Sequence, residues 1–307
     1  MIEVADTIYP VIRGLLFITL LLLVGTQAAS WITRRRVGNE SEEPARRILG
    51  EIADLAKRLT LLLPALALAR AAAQLWSLKD PTDALSWDFT AAVLFHGTWG
   101  VAWVLQTSAA FSLCAITILT PHQSKRLRSL APLLVVLALW AQTGMGHATS
   151  SFWHGPLGRV LQLTHLIGGG IWLGTLGVLA ATVFPALGKT ENLPLLSGVM
   201  RDFSVVARSG AALVVLAGLF ITLKYSGSLA AFLAAPWGRL LMLKVAGLGG
   251  VAGLGWYNWR IVTPELARGG INGVARLHRA VRIEVALGLV MLGITAFLVA
   301  TQLPREL

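Results

Sequence analysis

Apolar residues recur along this chain in unbroken runs of about twenty, separated by short polar stretches. Residues 15–24 show no alternation of the kind a barrel strand would need. A run of this length spans a hydrocarbon core of about 30 Å as an α-helix. The pattern predicts eight spans, at 8–32, 59–78, 89–119, 130–147, 157–184, 205–225, 237–259 and 280–302. Residues 48–58 read as an amphipathic helix lying on the membrane surface. The expected fold class is therefore an all-α integral membrane protein of about eight transmembrane helices.

Composition agrees. Of 307 residues 55% are hydrophobic and only 13% charged, and mean hydropathy is +0.70. A soluble domain carries about 25% charged residues. The net charge of +11 does not point to nucleic acid, because Lys and Arg concentrate in the loops after spans one, three, five and seven. By the positive-inside rule those loops are cytoplasmic and both termini are expected on the outer side of the membrane. The acidic start, with Glu3 and Asp6 and no basic segment, reads as leading into a retained helix. A single cysteine, Cys114, excludes an intrachain disulfide and a paired-cysteine metal site. No nucleotide motif and no acidic pair within a span is present. Gly168-Gly169-Gly170 sits inside an apolar run, where it is no phosphate loop. The chain is not expected to be an enzyme.

Topology sorts the histidines. His96, His147, His154 and His165 fall toward the outer side, His122 and His278 in cytoplasmic loops. His165 lies eight residues into span five, roughly 12 Å deep at helical rise, and His96 lies at similar depth in span three. His96 would share a helix face with Trp99, Trp103 and Gln106; His165 shares one with Gln162, Gly169 and Trp172. Polar side chains in hydrocarbon mark function by default. Imidazole beside the thioether of Met145 suits copper, Cu(I) more than Cu(II). The candidate ligands are His147 and His165, then Met145 and His96, with His154 weakest, and Trp99 and Trp172 as walls. The competing reading makes these side chains interhelical hydrogen-bonding groups.

Arg13, Arg70 and Lys244 are cations inside spans one, two and seven. Pairing with Asp83, Asp88 or backbone carbonyls would explain them; an anion-binding vestibule is the alternative. Glu284 is expected to pair with Arg279 or Arg282. Trp31, Trp76, Trp87 and Trp237 read as interfacial belts. Trp99-Gly100 with Gln106 echoes Trp237-Gly238 with Lys244, and Gly25-Thr26 echoes Gly174-Thr175. These echoes suggest two four-helix halves, 1–147 and 148–307, related as a parallel repeat.

Several motifs in residues 145–295 resemble the copper-resistance protein D (CopD) family of inner-membrane proteins. They are Gly146-His147-Ala148; His165 followed by Trp172-Leu173-Gly174; Asp202-Phe203-Ser204 with Ala207; Trp237-Gly238-Arg239 with Lys244; Asn258, Arg260 and Pro264; and Arg282-Ile283-Glu284. Arg201-Asp202 stands where the family has a plain Arg, and Trp237 where Tyr is common. The N-terminal half resembles the family mainly in span number and length. The resemblance implies movement of copper from the periplasm into or across the inner membrane, with a CopC-like periplasmic carrier as partner. Two readings from other classes remain. A haem-bearing electron carrier would use two histidines as axial ligands, with Arg13 and Arg70 holding propionates. A membrane assembly factor would not transport.

Overall fold

The computed structural model describes residues 4–37, 42–80, 82, 84–119, 127, 129–145, 156–187, 193–226, 228–268 and 271–298. Among them all regular structure is helical. The helices are α1 (Val4–Val37), α2 (Glu42–Leu78), α3 (Trp87–Phe95), α4 (Gly97–Leu119), α5 (Ala131–Thr143), α6 (Pro156–Leu187), α7 (Leu193–Tyr225), α8 (Leu229–Ala234), α9 (Pro236–Ala267) and α10 (Ile271–Leu298). Seven of these are long and apolar enough to cross a membrane. The predicted fourth span corresponds to α5, which has 13 residues and so reaches about 20 Å. Turns of π-helix interrupt α6 at Gly170–Gly174 and α9 at Asn258–Val262.

α6 runs through the middle of the bundle, and its glycines explain why. Gly174 and Gly25 bring the backbones of α6 and α1 into direct contact, so that a methyl on either would collide with main-chain atoms of the other helix. On the α7 side, a Cβ at Gly168 would lie 2.8 Å from the Gly210 carbonyl oxygen. Small residues let helices approach this closely in a bilayer, where the hydrophobic effect between them is absent. One apolar cluster joins α6 to α7, α9 and α10; a second joins α1, α2, α4 and α5, with Leu166 of α6.

Three predicted elements are revised. The surface helix at 48–58 is the first part of α2, which continues unbroken to Leu78. Its apolar face meets protein instead of lipid: Ile48 and Ile52 are buried in the cluster that holds Val183 and Leu187 of α6. The third span is two helices. Ser86 caps α3 by accepting from the Phe89 N–H at 3.2 Å, and Gly97, with φ of +70°, breaks the chain before α4. That left-handed conformation costs glycine little and other residues much. The sixth span begins at Leu193, twelve residues before its predicted start at 205.

The extra turns at the start of α7 also account for the acid beside Arg201. Asp202 accepts from Arg36 Nε at 2.7 Å and from Arg36 Nη2 at 2.6 Å. It thereby joins α7 to the basic end of α1 through a two-oxygen, two-nitrogen fork. Trp31, Trp76 and Trp87 are exposed, as an interfacial belt requires, whereas Trp237 is buried.

Candidate functional site

Helices α1, α5, α6, α7, α8, α9 and α10 line a partly open cavity of about 610 Å³. Its wall is mostly apolar, with a few polar groups pointing to binding and orientation. α6 contributes Gln162, His165 and Trp172 along one face, as their spacing predicted. α1 contributes Arg13, α9 contributes Lys244 and Trp237, and α5 contributes Gln142. Met291 of α10, a thioether the sequence reading did not single out, lies on the same wall. It packs against Gly247.

His165 is held in a defined way. Its Nδ1 is 3.0 Å from the Val214 carbonyl oxygen of α7. A carbonyl only accepts, so in the neutral ring Nδ1 carries the proton and Nε2 keeps its lone pair. Gly218, one turn further along α7, leaves room for the ring: a Cβ there would be 3.2 Å from His165 Cε1. A ring nitrogen tied to a backbone carbonyl, with the other free to donate electrons, is the usual support for a metal-ligating histidine.

Arg70 sits beside this cavity, fully buried. Its Nη1 donates to Gln142 Oε1 at 2.6 Å and to Gln106 Oε1 at 3.3 Å. Gln106 Nε2 in turn donates to Ala138 O and to Gln142 Oε1, both at 3.1 Å. The expected pairing of Arg70 with Asp88 does not occur. Asp88 is exposed, and the amide oxygens of two buried glutamines take its place; Asp83 lies outside the described residues. Among the described residues no acid pairs with Arg13, Arg70 or Lys244. Gln142 lies near the C-terminal end of α5.

The remaining candidates separate. Met145 is buried with Ala71, Ala102 and Trp103, in a cluster that Leu94 and Trp99 complete. Trp99 stacks on Trp103 at 6.5 Å and 4°, and Trp103 Nε1 donates to the Ala67 carbonyl at 2.8 Å. His96 is exposed at the α3–α4 elbow. It is not deep in a continuous helix, and shares no helix face with Trp99, because the chain turns at Gly97. His147, His154 and His122 lie outside the described residues. Among the described residues no three His, Cys, Asp or Glu side chains converge on one point.

A second polar site lies at the other end of α9 and α10. Glu284 is buried and accepts from Asn258 Nδ2 at 2.6 Å, instead of pairing with Arg279 or Arg282. Asn258 opens the π-turn of α9. The signal was present in the sequence as an acid inside an apolar run, but a helical wheel cannot show that a π-turn presents Asn258 to it.

Fold and cavity together define a polytopic helical membrane protein with a mostly apolar pocket in the bundle that carries a few polar groups. Residues 1–158 match the family described as copper resistance protein D-like, N-terminal domain. Residues 197–298 match the family described as copper resistance protein D. The chain belongs to the copper resistance protein D family, its N-terminal half included. Nothing among curated proteins or solved structures matches it. Membership gives the protein a role in copper resistance or uptake, with copper as the metal concerned.

Proposed function

We propose that the protein accepts copper from a periplasmic carrier and passes it into or across the inner membrane, with His165 as a ligand in the cavity. The observation that carries this reading is the Nδ1 contact of His165 with Val214, which leaves Nε2 as a metal-competent lone pair. The cavity wall adds the Met291 thioether, and imidazole with thioether favours Cu(I). His147 ends the same span as Gln142 by sequence and is the next ligand in this reading. The basic loops after spans one, three, five and seven support an orientation with both termini in the periplasm and the His147 end of span four toward it.

Copper and haem content of the detergent-purified, copper-loaded chain tests this. About one copper per chain is expected, lost in His165→Ala and in the His147→Ala/His165→Ala pair, with no Soret absorbance. Copper retained by the double variant would remove His165 from the site. A Soret band lost with His165 would replace the reading with electron transfer through haem. Uptake into proteoliposomes then separates transport from acceptance alone.

The support given to His165 makes a second expectation. Gly218→Ala presses on the imidazole without touching a ligand atom, so copper affinity is expected to fall about tenfold, as for other changes behind a metal ligand. Competition with a copper chelator measures it. Unchanged affinity in a folded variant would mean that the α7 contact does not orient the ring.

A further inference from the structure

Arg70 has an edge that no acceptor among the described residues closes at full hydrogen-bond geometry. Its Nη1 takes both glutamine oxygens, while Nε and Nη2 are buried and without a hydrogen-bond partner. Trp99 Nε1, buried nearby, also has none. The Tyr9 hydroxyl is the polar neighbour of both, within weak hydrogen-bonding reach of Arg70 and of Trp99, and is the group an incoming anion would displace; Arg13 lies within electrostatic reach of Arg70. Two guanidinium groups thus stand near each other in the bundle, and among the described residues no carboxylate pairs with either. A buried charge is expensive unless paired, and each unmade N–H bond adds to the cost.

The same molecule shows what such an edge takes. Arg36 presents Nε and Nη2 side by side to the two oxygens of Asp202. The matching edge of Arg70 has the geometry for a planar anion with two oxygens in line. Trp99 Nε1 supplies a third donor, and Arg13 a second positive charge.

We propose that Arg70, Arg13 and Trp99 form a binding site for a small carboxylate. The site adjoins the His165 cavity, because Arg13 lines that cavity and Gln142 both lines it and accepts from Arg70. Access runs through α3. The free N–H groups are sealed from solvent, and Leu94 of α3 packs on the Trp99–Trp103 cluster. No residue of α3 is buried, and Gly97 joins it to α4 as an elbow. Swinging α3 about that elbow would uncover the cluster; the main-chain contact given up is that of the Val93 and Leu94 carbonyls with Gly100. The site does not rest on the copper reading.

Titration of the full-length, copper-free protein in micelles with ¹³C-formate tests this, with ionic strength held constant by sodium chloride. Saturable broadening of the formate carbon signal is expected. Arg70→Lys keeps the charge but removes the fork, and should weaken binding about tenfold or more; Trp99→Phe keeps the stacked ring but removes one donor, and should weaken it several-fold. If Arg70→Lys does not fold, Trp99→Phe decides alone. Absence of saturable binding in the native chain would overturn the proposal. So would binding unaffected by the variants, or displacement of formate by equimolar chloride, which would identify a halide pocket that makes no use of the fork.

Discussion

Alanine at Gly174 is expected to prevent recovery of folded protein. The added methyl would fall on the Leu21 carbonyl and reach the Gly25 nitrogen, all main chain on α1. A clash with a flexible side-chain tip can be relieved by a rotamer change, but a clash between two helix backbones requires the helices to separate. Because α6 is also fixed against α7 through Gly168 and Gly210, it has nowhere to retreat. The cost should reach the upper end of overpacking effects, about 3 kcal/mol or more, a large part of a typical total stability. Gly249→Ala is the control: nothing lies within 4 Å of its Cβ position, and helix propensity makes it neutral or slightly stabilising. Monodisperse yield and melting temperature in detergent compare the two. Similar values for both variants would mean that α1 and α6 are not locked at this point.

Removing the amide of Gln142 is the next largest expected effect. Gln142→Leu deletes the 2.6 Å acceptor of Arg70 and leaves the 3.3 Å contact with Gln106 to satisfy a buried cation. A hydrogen bond to a charged group in this setting stabilises by about 2–3 kcal/mol. Breaking a buried polar network on one side costs more than replacing both sides with apolar groups. The double variant Gln142→Leu/Arg70→Met should therefore recover most of the loss. Equilibrium unfolding in mixed micelles, read as a double-mutant cycle, measures the coupling. A double variant less stable than Gln142→Leu would show that Arg70 is held by something other than the glutamine pair.

The helices were legible in the sequence because span length and the placement of Lys and Arg are direct consequences of the bilayer. The grouping of Gln162, His165 and Trp172 was legible for a similar reason: helical spacing places them on one face whatever the neighbours are. The partners of polar groups were not. Periodicity does not reveal that Arg70 meets two amide oxygens instead of Asp88. Nor does it show that Glu284 meets Asn258, since that contact depends on a π-turn shifting the register of α9. His96 was misplaced because one glycine in a left-handed conformation bends the chain, and glycine is common in apolar runs that do not bend. Residues 48–58 had the pattern of a surface helix, and only the tertiary structure shows that protein covers its apolar face.

The contact of Gly25 with Gly174 also sets an order of assembly. The two residues are 149 positions apart in the chain, so at ordinary rates of synthesis α1 enters the membrane on the order of ten seconds before its partner exists. During that interval the α1 notch can be filled only by lipid or by a helper protein. This face of α1 is therefore seated late although the helix is made long before α6, and a ribosome stalled before α6 would leave behind a set of inserted helices with no centre to close around.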